Sequence, residues 1–280
     1  MDSARLTQER MSEPPRCCVY TTLYGTLDTL PEQVVCQDSR LDFIAFVGDP
    51  ALVSETWTLR HLPPRIPADP VRSSRYPKLH PHLLLPEYQA SLYIDCSVQL
   101  KHPPEAIFDA LLFGQTETLA CLSHSHRDNL LDEVRAVLQL GYDDPDRCLQ
   151  QLCAYADTGF QGTVPLTWSG LMLRYHHHPD VSGFMEAWWE HVLRFSRRDQ
   201  LSFGYLAETR GFSFKAHALD NEDSPWHRWP VPRDRQRAPW RPATPLPPAD
   251  EFQTRLRATI DEIAAMSDGT RRPPDALAER

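Results

Sequence analysis

The sequence predicts an α/β fold, a mainly parallel central sheet flanked by helices, and three observations carry that prediction. Short apolar runs alternate with helix-compatible stretches through the first half of the chain, the pattern of strands joined by helical crossovers. Several of those runs stop at a turn residue or a carboxylate, as at Tyr24-Gly25, Gly48-Asp49 and Asp95. In such sheets ligands sit beyond the carboxyl ends of the strands. The half after Asp95 has fewer strands and more helices, and no internal repeat is present.

In chain order, residues 1–16 read as a polar, disordered leader that lacks the apolar core of a signal peptide. Residues 17–23, CCVYTTL, are β-rich and end at Tyr24-Gly25. A short helical stretch is expected from Pro31 to Val35. Residues 42–47, DFIAFV, form a second strand stopped by Gly48-Asp49-Pro50, and Trp57-Thr58-Leu59 a third, stopped by Pro63-Pro64. A basic helical segment carrying Arg72, Arg75 and Lys78 then leads through a turn into the strand Ser91-Leu92-Tyr93-Ile94 and Asp95.

Pro103-Pro104-Glu105 opens a helix, its prolines at the start where they are tolerated. Thr118 to Leu122 reads as a strand. Asp128 is expected to cap a helix through Leu140, with Leu130, Leu131, Val134, Val137 and Leu138 at helical spacing. Helices follow over 145–156, 181–195 and 198–209, and strands within 167–175 and 212–216. Of the adjacent pair Trp188-Trp189, one is expected to pack inward. Residues 225–248, rich in Pro, Arg and Trp, read as extended chain over the core, and 250–266 as an amphipathic helix. The expected organisation is a leader (1–16), a single domain (17–224) and a Pro-rich C-terminal extension ending in a helix (225–280).

Composition narrows the function classes. With 29 basic against 38 acidic residues and a net charge of −9, the chain is a poor general nucleic-acid binder, although a local basic cleft can still hold phosphates. No apolar run approaches the roughly 20 residues of a membrane-spanning helix. Seven cysteines without a C-x-x-C pair read as reduced thiols, and a cytoplasmic location is expected. No G-x-G-x-x-G, P-loop, G-x-S-x-G or EF-hand pattern occurs, which argues against dinucleotide, ATP-loop and serine-hydrolase readings.

Three clusters carry chemistry. Asp95, at a strand end, suits a hard divalent cation that bridges a carboxylate to substrate phosphates; it would equally serve as a turn cap. Ser97, two residues on, points to the same side and is a weaker ligand than a carboxylate. Arg75 and Lys78, three apart, share a helix face and suit a diphosphate or an ordinary solvated surface. Asp199, beside Arg197 and Arg198, reads as a helix N-cap and also as an ionised carboxylate able to orient or deprotonate an acceptor hydroxyl. His124-x-His126 and His176-His177-His178 offer imidazoles for zinc, but no recognised ligand frame accompanies them.

The ordered pieces V-Y-T-T-L-Y-G (19–25), D-F-I-A-F (42–46), R-x-x-K (75–78), L-Y-I-D (92–95) and H-x-x-R (124–127) continue with G-L-M-L-R-Y-H (170–176), W-W-E (188–190) and R-D-Q-L-S-F (198–203). Together they resemble the glycosyltransferase-like domain family of plant mucilage- and wall-associated proteins and of bacterial proteins near polysaccharide genes. The resemblance implies a GT-A-like fold, a nucleotide-sugar donor (most simply UDP-linked), a glycan or other hydroxyl acceptor, and a divalent metal, Mn²⁺ or Mg²⁺. It implies that Asp95 matches the first aspartate of the family's D-x-D motif, with Ser97 in place of the second. Arg75 and Lys78 would lie near the donor, and Tyr20, Thr21, Thr22 and Tyr24 would border the nucleotide. Asp199 and Gln200 would lie near the acceptor and reacting sugar, and His217 would complete the metal shell. The expected activity is hexosyl transfer in polysaccharide or glycoconjugate synthesis. The alternatives are a catalytically silent nucleotide-sugar-binding or scaffold protein and a zinc-dependent hydrolase.

Overall fold

The computed structural model describes residues 15–26, 28–231 and 254. The chain divides into two units, Met1–Trp240 and Arg241–Arg280. The expectations for residues 1–14, 232–248 and, apart from Thr254, 250–266 lie outside the described residues.

The described strands are β1 (Cys17–Leu23), β2 (Asp42–Val47), β3 (Thr58–His61), β4 (Ala90–Ile94), β5 (Gln99–Leu100), β6 (Leu119–Ser123), β7 (Thr167–Arg174), β8 (Lys215–His217) and β9 (His227–Arg228). The helices are α1 (Pro70–Leu79), α2 (Pro81–Leu84), α3 (Pro104–Leu111), α4 (Leu130–Gln139), α5 (Pro145–Asp157), α6 (Pro179–Arg194) and α7 (Gln200–Arg210). Seven strands form one sheet in the order β3-β2-β1-β4-β7-β6-β8. Neighbours are parallel except at β7, which runs antiparallel to β4 and β6. This is the mainly parallel, helix-flanked α/β sheet that the alternation of elements predicts. β5 and β9 pair separately as a short antiparallel ribbon.

Both faces of the sheet are covered, which explains why the central strands are almost continuously apolar. Successive side chains alternate between the faces. Val19, Leu92, Ile94 and Leu173 pack on one side with Ile107 and Phe108 of α3. Tyr20, Tyr93 and Met172 pack on the other with Phe184 and Trp188 of α6 and Phe203 of α7. Trp188 is the inward member of its pair, and Trp189 sits edge-on to Tyr76 and His80.

Several local expectations are corrected. The turn after Pro31 is a 3-10 segment, Val34–Asp38. Asn129, not Asp128, caps α4 by accepting from the Asp132 amide. The strand expected over 212–216 shortens to β8 because Phe212 stacks on Phe184 and Phe214 meets Phe203 edge-on; those aromatics serve the helical layer, not the sheet. Arg72 does not join Arg75 and Lys78. Its guanidinium donates to the Val192 and Phe195 carbonyls and pairs with Asp69, closing the C-terminal end of α6. All seven cysteines are free thiols.

Candidate active site

The antiparallel course of β7 decides what meets at one edge of the sheet. The carboxyl ends of β1, β4 and β6 and the amino end of β7 all open there. Thr22 to Gly25, Asp95, His124, His126, Arg127 and Trp168 to Gly170 therefore share one cleft of about 880 Å³. Gly25 has φ +81°, and a Cβ on it would stand 3.1 Å from Pro70. Glycine thus lets the β1 loop turn under the start of α1.

α1 brings the cations. It is capped by Asp69, whose Oδ1 accepts from the Arg72 amide at 3.0 Å, and it begins at Pro70. Arg75 and Lys78 project from one face toward the sheet edge. The Lys78 carbonyl, near the helix end where partners run out, accepts from the Tyr20 hydroxyl at 2.7 Å and from Arg174 at 2.7 Å. Arg174 is itself fully buried, and burial lowers its pKa to about 9. This buried layer anchors the backbone that carries Lys78.

The Lys78 ammonium is buried 2.5 Å from Asp199 Oδ2, 2.9 Å from Ser169 Oγ and 3.8 Å from Asp95 Oδ1. Arg75 Nε stands 3.1 Å from Asp199 Oδ1. Two cations and two carboxylates thus balance in charge at the strand ends. Burial pushes the Asp199 carboxyl up, but Arg75 and Lys78 outweigh it and hold the group far below the usual carboxylate range. The same opposition, with Lys78 ahead of Arg75, lowers Asp95. Asp95 also accepts from the Tyr93 hydroxyl at 2.9 Å. Burial, then the neighbouring Asp95 charge, raises the Tyr93 phenol and keeps it a donor. Asp95 is the open member, with 28% of its side chain exposed against 3% for Asp199.

Of the residues singled out in the sequence, Thr22, Tyr24, Arg75, Lys78, Asp95, Asp199 and Gln200 line this cleft. Tyr20 and Thr21 are fully buried and are not among its lining residues; Tyr20 supports Lys78 from behind. Ser97 is buried and accepts from the Trp229 indole at 3.1 Å, so it does not face the cleft beside Asp95. His217 lies on edge strand β8, its Nε2 2.9 Å from the Leu111 carbonyl, and is not among the cleft's lining residues. Asp199 makes no side-chain cap on α7; its oxygens are turned to the cations instead.

The zinc reading fails on topology. His124 follows the carboxyl end of β6, whereas His176 follows the far end of antiparallel β7, opposite Thr118 and Leu119. An eight-residue strand spans roughly 25 Å, so the two groups sit at opposite edges. Among the described residues no three His, Cys, Asp or Glu side chains could hold a metal together. The donor set that remains is one partly exposed carboxylate, Asp95, beside a charge-balanced cluster. That set suits a hard cation delivered by a diphosphate and still largely hydrated, not one caged by protein alone.

The structure adds residues that the sequence reading gave no role. Ser169 joins Lys78 to Asp199. Trp168 stacks on His227 and meets Trp229 edge-on, and both tryptophans line the cleft. A Cβ on Gly170 would fall 2.3 Å from the Trp168 ring, so glycine there makes room for the indole. Trp229 follows β9, which pairs with β5, so residues 225–231 pack onto the sheet domain. A second hollow of about 660 Å³, between Thr116–Thr118, the start of α6 and the end of α7, holds none of the charge cluster.

Residues 52–218 match the model of the TOD1/MUCI70 glycosyltransferase-like domain. A probable hexosyltransferase MUCI70 of Arabidopsis thaliana is 28% identical over 148 residues, which is 50% of this chain but 26% of that protein. The chain therefore spans about a quarter of the length of this relative. Among solved structures, mouse xyloside xylosyltransferase 1 in its apo form aligns with TM-score 0.42 and 14% identity over 74% of this chain and 86% of its own. The galactosyltransferase LgtC, in complex with donor and acceptor sugar analogues, aligns with TM-score 0.37 and 14% identity over 71% of this chain and 72% of its own.

Proposed function

The chain belongs to the TOD1/MUCI70 glycosyltransferase-like domain family, and from that premise we propose that it moves a hexosyl group from a nucleotide sugar, UDP-linked, to a hydroxyl of a glycan acceptor. One observation carries the reading: the largely buried Arg75–Lys78–Asp199 cluster beside partly exposed Asp95, at the end of the sheet where an α/β fold binds ligands. The nucleotide belongs against Thr22 to Gly25 at the end of β1, and the diphosphate against Asp95.

The four charges cancel among themselves, so an incoming diphosphate calls for added positive charge. Asp95 is the residue that would hold a divalent cation there, and a bound Mg²⁺ or Mn²⁺ would neutralise the leaving diphosphate. The protein's own part is to hold charge and geometry fixed, which lowers the barrier without reorganisation during the reaction. Lys78 and Arg75, engaged with Asp199, would hold fixed positive charge beneath the reacting sugar and its phosphate. Asp199, with both oxygens engaged and its pKa held low, is a poor proton acceptor at neutral pH. Its assigned role is to orient the two cations. Gln200, whose Nε2 donates to the Thr167 carbonyl at 3.3 Å, positions the floor beneath the acceptor hydroxyl.

Thermal shift and calorimetry with UDP, with and without Mn²⁺, test the proposal, because a ligand of the folded state raises its melting temperature by mass action. UDP should bind more tightly with Mn²⁺, and Asp95→Ala should remove that gain. Binding that is blind to metal in both proteins would sink the Asp95 assignment, and no UDP binding at all would sink the donor class. The burial of Ser97 against Trp229 favours one second reading, a nucleotide-sugar binder without turnover. Donor binding without hydrolysis or transfer, across a panel of acceptors, would decide for it.

A further inference from the structure

Five cations line the cleft: Arg75, Lys78, Arg127, Arg197 and Arg198. Four have carboxylate partners. Arg75 and Lys78 meet Asp199, Arg127 Nε lies 2.5 Å from buried Glu133, and Arg197 lies 3.4 Å from Asp143 and 3.7 Å from Asp69. Among the described residues, Arg198 alone of the five has no carboxylate at ion-pair distance. Its side chain has a 3.3 Å bond to the Gln200 amide oxygen and lies over the Tyr142 ring, 5.4 Å from its centroid. Its Nε is buried without a hydrogen-bond partner.

A guanidinium that lines a cleft with no carboxylate at ion-pair distance keeps its charge available to an anionic ligand. The position says which ligand. Arg198 sits on the β6 wing of the cleft with His124 and Tyr142, whereas the nucleotide wing is the β1 end. The diphosphate belongs at Asp95, after β4, and in the sheet β4 and β6 are separated by β7, two strand spacings or roughly 10 Å. Burial foremost, with Arg127, His126 and Arg198 adding, lowers His124 to a pKa of about 4, which keeps it neutral at pH 7. Glu222, which also lines the cleft, has Oε1 3.2 Å from His126 Nε2.

We propose that Arg198 is an anion-recognition residue on the acceptor side of the cleft, and that the acceptor is an acidic sugar, bearing a carboxylate or a phosphate. This rests on the glycosyltransferase reading of the cleft. The planar guanidinium fork matches either group in a bidentate way that a lysine cannot reproduce.

The test uses the full chain and simple probes. Binding of methyl β-D-glucuronide, glucose 6-phosphate and methyl β-D-glucoside is measured by ligand-observed NMR, and UDP binding in parallel. At least a tenfold preference for one or both acidic probes over the neutral glucoside is expected. Arg198→Gln should abolish it with UDP affinity within twofold of wild type, and Arg198→Lys should keep part of it. Equal binding of all three probes overturns the proposal, as does a preference that survives in Arg198→Gln. The donor arm compares UDP-glucuronate with UDP-glucose. An Arg198-dependent preference in that pair, absent from the free sugars, would move the anion to the donor and overturn the acceptor assignment. If UDP fails to bind while the acidic-sugar preference holds, the donor reading falls and the anion site stands.

Discussion

Lys78→Met keeps the length and much of the volume of the side chain and removes its charge, so the loss reports the ammonium alone. At 2.5 Å from Asp199 the pair's attraction is about 7 kcal/mol for an effective dielectric near 20. Desolvation offsets much of that, and removing one partner of a buried pair costs about 3–5 kcal/mol. Arg75 still faces Asp199 at 3.1 Å, so the lower end, about 3 kcal/mol, is the expected cost. For a unit of this size each kcal/mol lowers Tm by about 2–4 °C, which predicts a drop of roughly 6–12 °C in calorimetric melting. The double variant Lys78→Met/Asp199→Asn should lose at least about 1 kcal/mol less than the sum of the single losses, because the second change removes a charge already stranded by the first. A Lys78→Met protein that melts within about 2 °C of wild type, or strict additivity in the cycle, would refute the buried cluster as the anchor of the site.

Two further outcomes follow from other parts of the fold. Gly170→Ala should cost about 1–3 kcal/mol or more by overpacking, because the added methyl meets the Trp168 ring at 2.3 Å; an unchanged tryptophan emission and melting curve would contradict the contact. His176 is buried against Ser91 and the Leu85 carbonyl, and burial foremost lowers its pKa to about 3. Between about pH 6.5 and pH 3 the unfolded chain therefore holds a proton that the folded chain lacks, and stability falls as the pH drops through that window. His176→Gln should flatten urea-unfolding free energy against pH there by up to about 1.4 kcal/mol per pH unit, and equal slopes would show that His176 is not held neutral.

Elements whose identity rests on local pattern were legible. β1, β2 and β4 are buried apolar runs, and α4 and α6 carry apolar residues at helical spacing, so length and period suffice for them. The errors at Phe212, Phe214, Asp199 and Ser97 share one cause. Phe212 and Phe214 look like strand residues, but their partners are Phe184 and Phe203 in helices, and nothing in a local window names a distant partner. Asp199 looks like a cap because caps are local; its real partners are 124 and 121 residues upstream, at Arg75 and Lys78. Ser97 looks like a second ligand because alternate residues share a side, but the chain turns after β4 and buries it under Trp229.

By itself the sequence determined the α/β class, the strand ends at which a ligand site would open and, through its ordered short motifs, the family. It also supplied the residues of the charge cluster: Arg75, Lys78, Asp95 and Asp199. Only the tertiary structure decided how they are used. The antiparallel entry of β7 puts Ser169 and Trp168 at the same edge as Asp95 and sends His176 to the other. α1 and the turn before α7 then close Lys78 and Arg75 onto Asp199, which leaves Asp95 facing the cleft and Arg198, among the described residues, with no carboxylate at ion-pair distance. Charge pairing depends on distances between segments far apart in the chain, and those distances exist only once the layers have packed.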